Sequence, residues 1–152
     1  MQTTLPLAEL FEEDEAAWLD AMVELIDARS FGDLDFANLR EYLVSMGNRD
    51  RREVESRLTV LLAHVLKWEF QPEKRSTSWR HSINVQRRDL RKIAGKGVLR
   101  KYALEVLPEA YLHAVDQVTA ETHLLEVDLP RESPYSFDEL LGFEPMLDEP
   151  AS

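Results

Sequence analysis

The sequence has no cysteine among its 152 residues. That excludes a disulfide framework, a thiol nucleophile and any cysteine-ligated zinc or iron–sulfur site. It also suits a reducing compartment, so a cytoplasmic location is expected. No apolar run approaches the roughly 18 residues of a membrane span, and no membrane association is expected. The first residues show no basic stretch leading into an apolar core, so no signal peptide is expected. Glycine and proline are sparse, at 5 and 7, which rules out collagen-like and low-complexity chains. Catalytic signatures are missing too: no glycine-rich phosphate loop, no Gly-x-Ser-x-Gly elbow and no His-Glu-x-x-His. Nothing nominates an enzyme, no catalytic residue is singled out, and no cofactor is expected. What remains is 44% hydrophobic, and a chain of this length buries about 70% of its unfolded surface.

Charge is abundant and segregated. Residues 1–46 carry 11 acids and 2 bases, residues 47–101 carry 15 bases and 6 acids, and residues 102–152 carry 12 acids and 1 base. The net value of −11 therefore conceals a basic middle between two acidic flanks. Such asymmetry points to a nucleic-acid, anionic or acidic-protein partner. The plainer account is that acidic helices pack beside basic ones within one bundle. An acidic flank on one copy pairing with the basic middle of another would give a homo-oligomer.

Apolar spacing is helical throughout. Phe11, Trp18, Met22 and Ile26 define a stripe on a helix from Glu9 to Arg29, with the Glu12–Glu15 acids in its first turns and Gly32 as its stop. Asp35 caps a second helix to about Met46, with Phe36, Leu39, Leu43 and Met46 on one face; Gly47 ends it and Asn48 caps the next. Val54, Leu58, Leu61, Val65 and Trp68 give the clearest pattern, on a core helix from Arg49 to about Glu69. Ser76, Thr77 and Ser78 cap a fourth helix carrying Trp79, Ile83, Leu90 and Ile93, closed by Gly95 and Gly97. Val98 to Thr122 is helical with a break at Pro108. Four prolines after His123 make the remainder loop, except for a short helix that Ser136 and Glu139 open as a capping box. The expected fold is all-α: a single-domain bundle of about five to six helices over residues 1–142, with a partly irregular, flexible C-terminal tail at 143–152.

Several residues stand out as candidates. His64 projects about 80° from Val54, on the border of the apolar stripe, one turn from Trp68. It is either a half-buried histidine bonded to a backbone carbonyl or a base or proton switch. Arg80, Arg87, Arg88, Arg91 and Lys92 make a basic helical face, preceded by Lys74 and Arg75 and interleaved with Trp68, Phe70 and Trp79. Phosphate contact needs such a face, and aromatic rings add stacking. A solvated face meeting the chain's own acids explains it as well. Gln86 falls inside an apolar stripe, so it bonds across to another helix or faces a ligand cavity. For metals, Glu109, His113 and Asp116 share a face, but the Glu-x-x-His spacing of di-iron bundles is absent, and His81 and His123 complete no ligand set. No metal site is expected.

The run from Arg57 through Glu73, followed by Arg75-Ser76 and Ser78-Trp79-Arg80, resembles the bacterial family called domain of unknown function 29. Asp35, Asn38, Leu39, Met46-Gly47 and the later Ser133-Pro134-Tyr135-Ser136 are similar too, so the resemblance spans about residues 11–142. It implies a small all-helical cytoplasmic bacterial protein with no established activity, and it carries no residue role across. His123 departs from the pattern, which has a glycine after Glu121-Thr122; without it the helix there is expected to end differently.

Three readings follow. The preferred one is a protein-interaction module, antitoxin-like or an adaptor. The second is a nucleic-acid binder using the basic face. The third is an enzyme or ligand-binding module around His64, Trp68, Arg75, Trp79, Arg80 and Gln86.

Overall fold

The structure, a computed structural model, describes residues 5–147. Six α-helices and no strand form among the described residues. The fold is all-α, as the spacing predicts. None of these helices is long and apolar enough to cross a membrane. The chain groups into two compact units, Met1–Arg49 and Asp50–Ser152.

The first unit holds α1 (Leu7–Glu13), α2 (Glu15–Asp27) and the beginning of α3 (Phe36–Phe70). The single helix expected over Glu9–Arg29 is broken at Asp14, whose backbone leaves the helix at φ −151° and ψ 84°. Its carboxylate accepts the Ala17 N–H at 3.1 Å. Aspartate competes for backbone donors in this way and caps helices more readily than it continues them. Glu12 and Glu13 thus end α1 instead of opening a long helix, and Glu15 alone sits in the first turn of α2. The stop at the other end is Arg29, in the left-handed region at φ 58°. There the Ser30 N–H reaches back to the Leu25 carbonyl at 2.8 Å. Gly32 lies beyond, in a 3₁₀ turn at Phe31–Asp33.

Trp18 is the centre of this unit. It is fully buried, with Met22 beside it in the sequence of α2. The Phe11 ring meets it edge-on at 4.7 Å, Tyr42 lies at 6.0 Å, and its indole N–H donates to Asp35 at 3.1 Å. Asp35 also accepts the Asn38 backbone and side-chain N–H groups, so it caps α3 as expected. Partial burial by itself would raise the Asp35 pKa. The hydrogen bonds from Asn38 and Trp18 outweigh it and hold the carboxyl below its ordinary value. A folded-state pKa below the unfolded one gives stability that is present above about pH 4 and lost as pH falls through the folded value. The protection factors of α2 amides, corrected for intrinsic exchange, should therefore fall on acidification below about pH 4. In Asp35→Asn that pH dependence should vanish.

The break expected at Gly47 and Asn48 does not occur, and α3 runs unbroken for 35 residues. Glycine in a helix interior costs only about 1 kcal/mol relative to alanine. Arg49 to Glu53 continue as helix on the far side.

The second unit packs the remainder of α3 with α4 (Thr77–Ala94), α5 (Gly97–Glu121) and α6 (Phe137–Leu141) around one core. Val54, Leu58, Leu61, Val65 and Trp68 are all buried, as their spacing requires. From Leu61 to Trp68 α3 is closed on nearly every side, with His64 alone half-buried. Such a helix is central to its bundle. Ser76 opens α4 by accepting the Trp79 N–H at 3.2 Å. Gly97, at φ 74°, makes the turn into α5.

Pro108 does not divide α5. Proline removes the hydrogen bond to the carbonyl four residues earlier, that of Leu104. Both residues are exposed, so the freed carbonyl is not shut into the core, and the helix continues. Ala103, Ala110 and Ala114 are buried on the other side and let neighbouring helices approach. At its C-terminus α5 ends on an extended Thr122. Its hydroxyl donates to the Val118 carbonyl at 2.7 Å and accepts the Leu124 N–H at 3.1 Å, doing the work of a left-handed turn.

The segment after α5 is mostly irregular but fastened. Leu129 is buried, and the Tyr111 hydroxyl donates to the Pro130 carbonyl. Ser136 and Glu139 cap α6 reciprocally, as predicted. Of the tail at 143–152, Phe143 and Leu147 pack against the core. Residues 148–152 lie outside the described residues.

Candidate functional site

His64 sits on α3 with its Nδ1 2.9 Å from the Val60 carbonyl. A carbonyl can only accept, so in the neutral ring Nδ1 carries the proton and Nε2 is the free acceptor. This is a half-buried histidine bonded to its own helix. Trp68, one turn on, is buried, and its carbonyl at the end of α3 accepts the Arg75 Nε–H at 2.8 Å. The Arg75 guanidinium lies 5.1 Å from the centre of the Trp68 ring. A cation at a helix C-terminus, bonded to an orphan carbonyl and stacked on an indole, closes the helix well.

Trp79 is half-buried, with the Lys67 ammonium 6.0 Å from its ring centre. Lys67 is itself buried and paired with Glu121 of α5. That hydrogen bond, foremost, holds the Glu121 carboxyl below its usual value. Spacing alone did not single out this pair. The signal was there: a lysine on a helix otherwise apolar all round must be paired. Gln86 takes the first of its two alternatives and accepts from Arg57 of α3 at 3.2 Å. Arg57 also reaches Asp89 at 3.0 Å and Glu53 at 2.9 Å. Arg80 is half-buried.

The proposed site residues thus fall into separate contacts. Arg75 meets Trp68 at the end of α3, His64 bonds its own helix and Trp79 lies near Lys67, whereas Gln86 belongs to the Arg57 network. Among the described residues no buried side-chain nitrogen or oxygen lacks a partner. No orphaned polar group marks a ligand position here.

Two of the five residues of the basic face, Arg87 and Arg91, are in use. Arg87 is buried; it donates to the Leu141 carbonyl at 2.9 Å, bonds Asn84 at 3.2 Å and pairs with Glu144 at 3.4 Å. Arg91 donates to the same Leu141 carbonyl at 2.6 Å. Two arginines of α4 therefore close the C-terminus of α6. Arg88 is exposed, beside Asp89, and Lys92 is exposed.

The family described as Domain of unknown function DUF29 matches residues 10–144. The chain belongs to that family. No curated protein and no solved structure matches it. In this DUF29 chain the central run from Arg57 to Glu73 supplies the innermost helix, so packing accounts for most of the motif. Charge segregation has a similar internal use: Lys67–Glu121, Arg87–Glu144 and Arg100–Asp138 each join the basic middle to the acidic last third. Asp138 is held below its usual value by the Arg100 hydrogen bond.

Acidic residues 1–46 accompany a different surface. In α3, Phe36 and Leu43 are 61% and 62% exposed, with Leu39 half-buried between them. On α2, Val23 and Ile26 are exposed as well. The stripes that spacing assigned to a core are there, but among the described residues of the first unit only Trp18 and Met22 are buried.

Proposed function

We propose that this chain is a protein-interaction module, an adaptor or antitoxin-like protein, whose first unit carries the docking surface. One observation carries the reading: Phe36, Leu39 and Leu43 keep the i, i+3, i+7 pattern of an amphipathic helix, and the outer two are exposed. That is the anchor pattern by which a helix enters an apolar groove on another protein. Large apolar side chains left bare in a row mark an interaction surface more often than chance exposure. With 11 acids and 2 bases over residues 1–46, the complementary partner has an apolar groove with a basic rim. The nucleic-acid reading has less support, because Arg87 and Arg91 are committed to Leu141.

The test uses the full chain as bait in its native host, with Phe36→Ser/Leu43→Ser as the mapping variant. Both positions are exposed, so the variant keeps the wild-type fold and stability within about 1 kcal/mol. The wild type should retain a stoichiometric protein that the variant loses. Retention by both, or by neither, rejects the docking surface. Nucleic acid recovered with the wild type and lost in Arg88→Glu/Lys92→Glu would favour the alternative, with affinity falling steeply as salt rises.

A further inference from the structure

We propose that Glu55, Glu109 and His113 form a binding site for a divalent first-row transition-metal ion. Each offers a ligand atom, and these atoms all lie within 4.8 Å of one another. Along the sequence, Glu109 and His113 are one helical turn apart on α5, which by itself is an ordinary surface pair. Their side chains face each other, with Glu109 Oε1 3.9 Å from His113 Nε2. Folding adds the third member by laying Glu55 of α3 beside them. The site lies wholly within the second unit.

The donor set decides the class of ion. Two carboxylates match the charge of a divalent cation, and an imidazole favours zinc, cobalt, nickel or iron over magnesium and calcium. An ion bound at 2.0–2.2 Å would draw the three ligands together by about an ångström, well within the reach of rotamer changes in two exposed side chains. Glu109 and His113 are 67% and 56% exposed at the side chain. Three protein ligands leave a coordination position for water or an incoming group.

The surroundings resemble an outer coordination shell. The Tyr102 hydroxyl donates to Glu55 Oε2 at 3.2 Å, which fixes the carboxylate and leaves its other oxygen for the metal. A cleft of about 490 Å³ opens beside the cluster, lined by Glu55 and His113 with Ser56, Thr59, Gln117 and Arg52 among others. Polar neighbours and open volume give an ion an entry path and a hydrated face. Arg51 lies 5.9 Å from the Tyr102 ring centre, and together with Arg52 it supplies the local positive charge.

The experiment takes the full chain without a polyhistidine tag, stripped with a chelator. Zinc binding is followed by calorimetry, and cobalt binding by its visible absorption. One equivalent of each should bind. Glu55→Gln, Glu109→Gln and His113→Asn should each weaken binding by more than tenfold. Tyr102→Phe should weaken it roughly tenfold, the effect expected of an outer-shell partner. His81→Asn/His123→Asn should bind as the wild type does. Glu109 and His113 are exposed, so their variants keep the fold even if Glu55→Gln does not, and circular dichroism checks each. Absence of saturable one-equivalent binding overturns the site. So does zinc binding that persists in both Glu109→Gln and His113→Asn, or magnesium or calcium binding as tight as zinc.

Discussion

Trp18→Ala should cost about 3–5 kcal/mol, the range for deleting a fully buried large aromatic. The loss should fall on the first unit. Trp18 and Met22 are the residues buried there, so no larger core exists to absorb the cavity. Phe11 and Tyr42 would lose the ring they pack on, and Asp35 would lose the indole donor. An acceptor deprived of its donor carries a further penalty. Hydrogen exchange should show α1, α2 and the start of α3 losing protection, while residues 54–141 keep theirs. Trp18→Phe retains most of the apolar volume but not the N–H, and should cost less, about 1–2 kcal/mol. Equal loss of protection along the whole chain would contradict the assignment of Trp18 to the core of the first unit. Because Trp18 is buried, its variant would also abolish partner capture without altering Phe36 or Leu43, giving an independent check on the docking surface.

The second large effect concerns Arg87. Removing it in Arg87→Ala should destabilise the second unit by about 3 kcal/mol. It takes away a charge-assisted bond to the Leu141 carbonyl, each such bond being worth about 1.5–3 kcal/mol, and the stem that packs beneath α6. Protection of residues 137–141 should fall first. Arg87→Lys should not rescue, because an ammonium lacks the planar fork that reaches Leu141, Asn84 and Glu144 together. Arg88→Ala, at the next position of α4 but exposed, should stay within about 0.5 kcal/mol of wild type. If Arg87→Ala behaved like Arg88→Ala, the arginine would be a surface group and the nucleic-acid reading would regain its strongest side chain. Reversing Arg87 and Arg91 to acids is therefore no test of nucleic-acid binding: it would dislodge α6.

Local features were legible wherever a residue acts on its own few neighbours. The caps at Asp35, Ser76 and Ser136 and the buried stripe from Val54 to Trp68 follow from spacing and hydrogen-bonding chemistry. Helix ends were less legible, for a consistent reason. Gly47 and Pro108 weaken a helix by amounts that continued pairing and solvent can absorb, so neither ended one. Asp14, which did interrupt the expected helix, looks unremarkable in a row of letters, whereas the end near Arg29 was legible. Among the candidate residues, His64 bonded to Val60 was readable from its border position. The partner of Gln86 was not, because Arg57 comes from a different helix.

The sequence by itself determined the all-helical class, the innermost helix, most caps and the segregation of charge, since each depends on periodicity or on interactions a few residues long. Tertiary structure alone decided which charges were spent and which surfaces were left. It turned Arg87 and Arg91 from a basic face into a clamp on Leu141. It set Glu55 beside Glu109 and His113, and it left Phe36 and Leu43 bare. Pairing and exposure are properties of which helices meet, and residues far apart in a chain acquire them only when it folds.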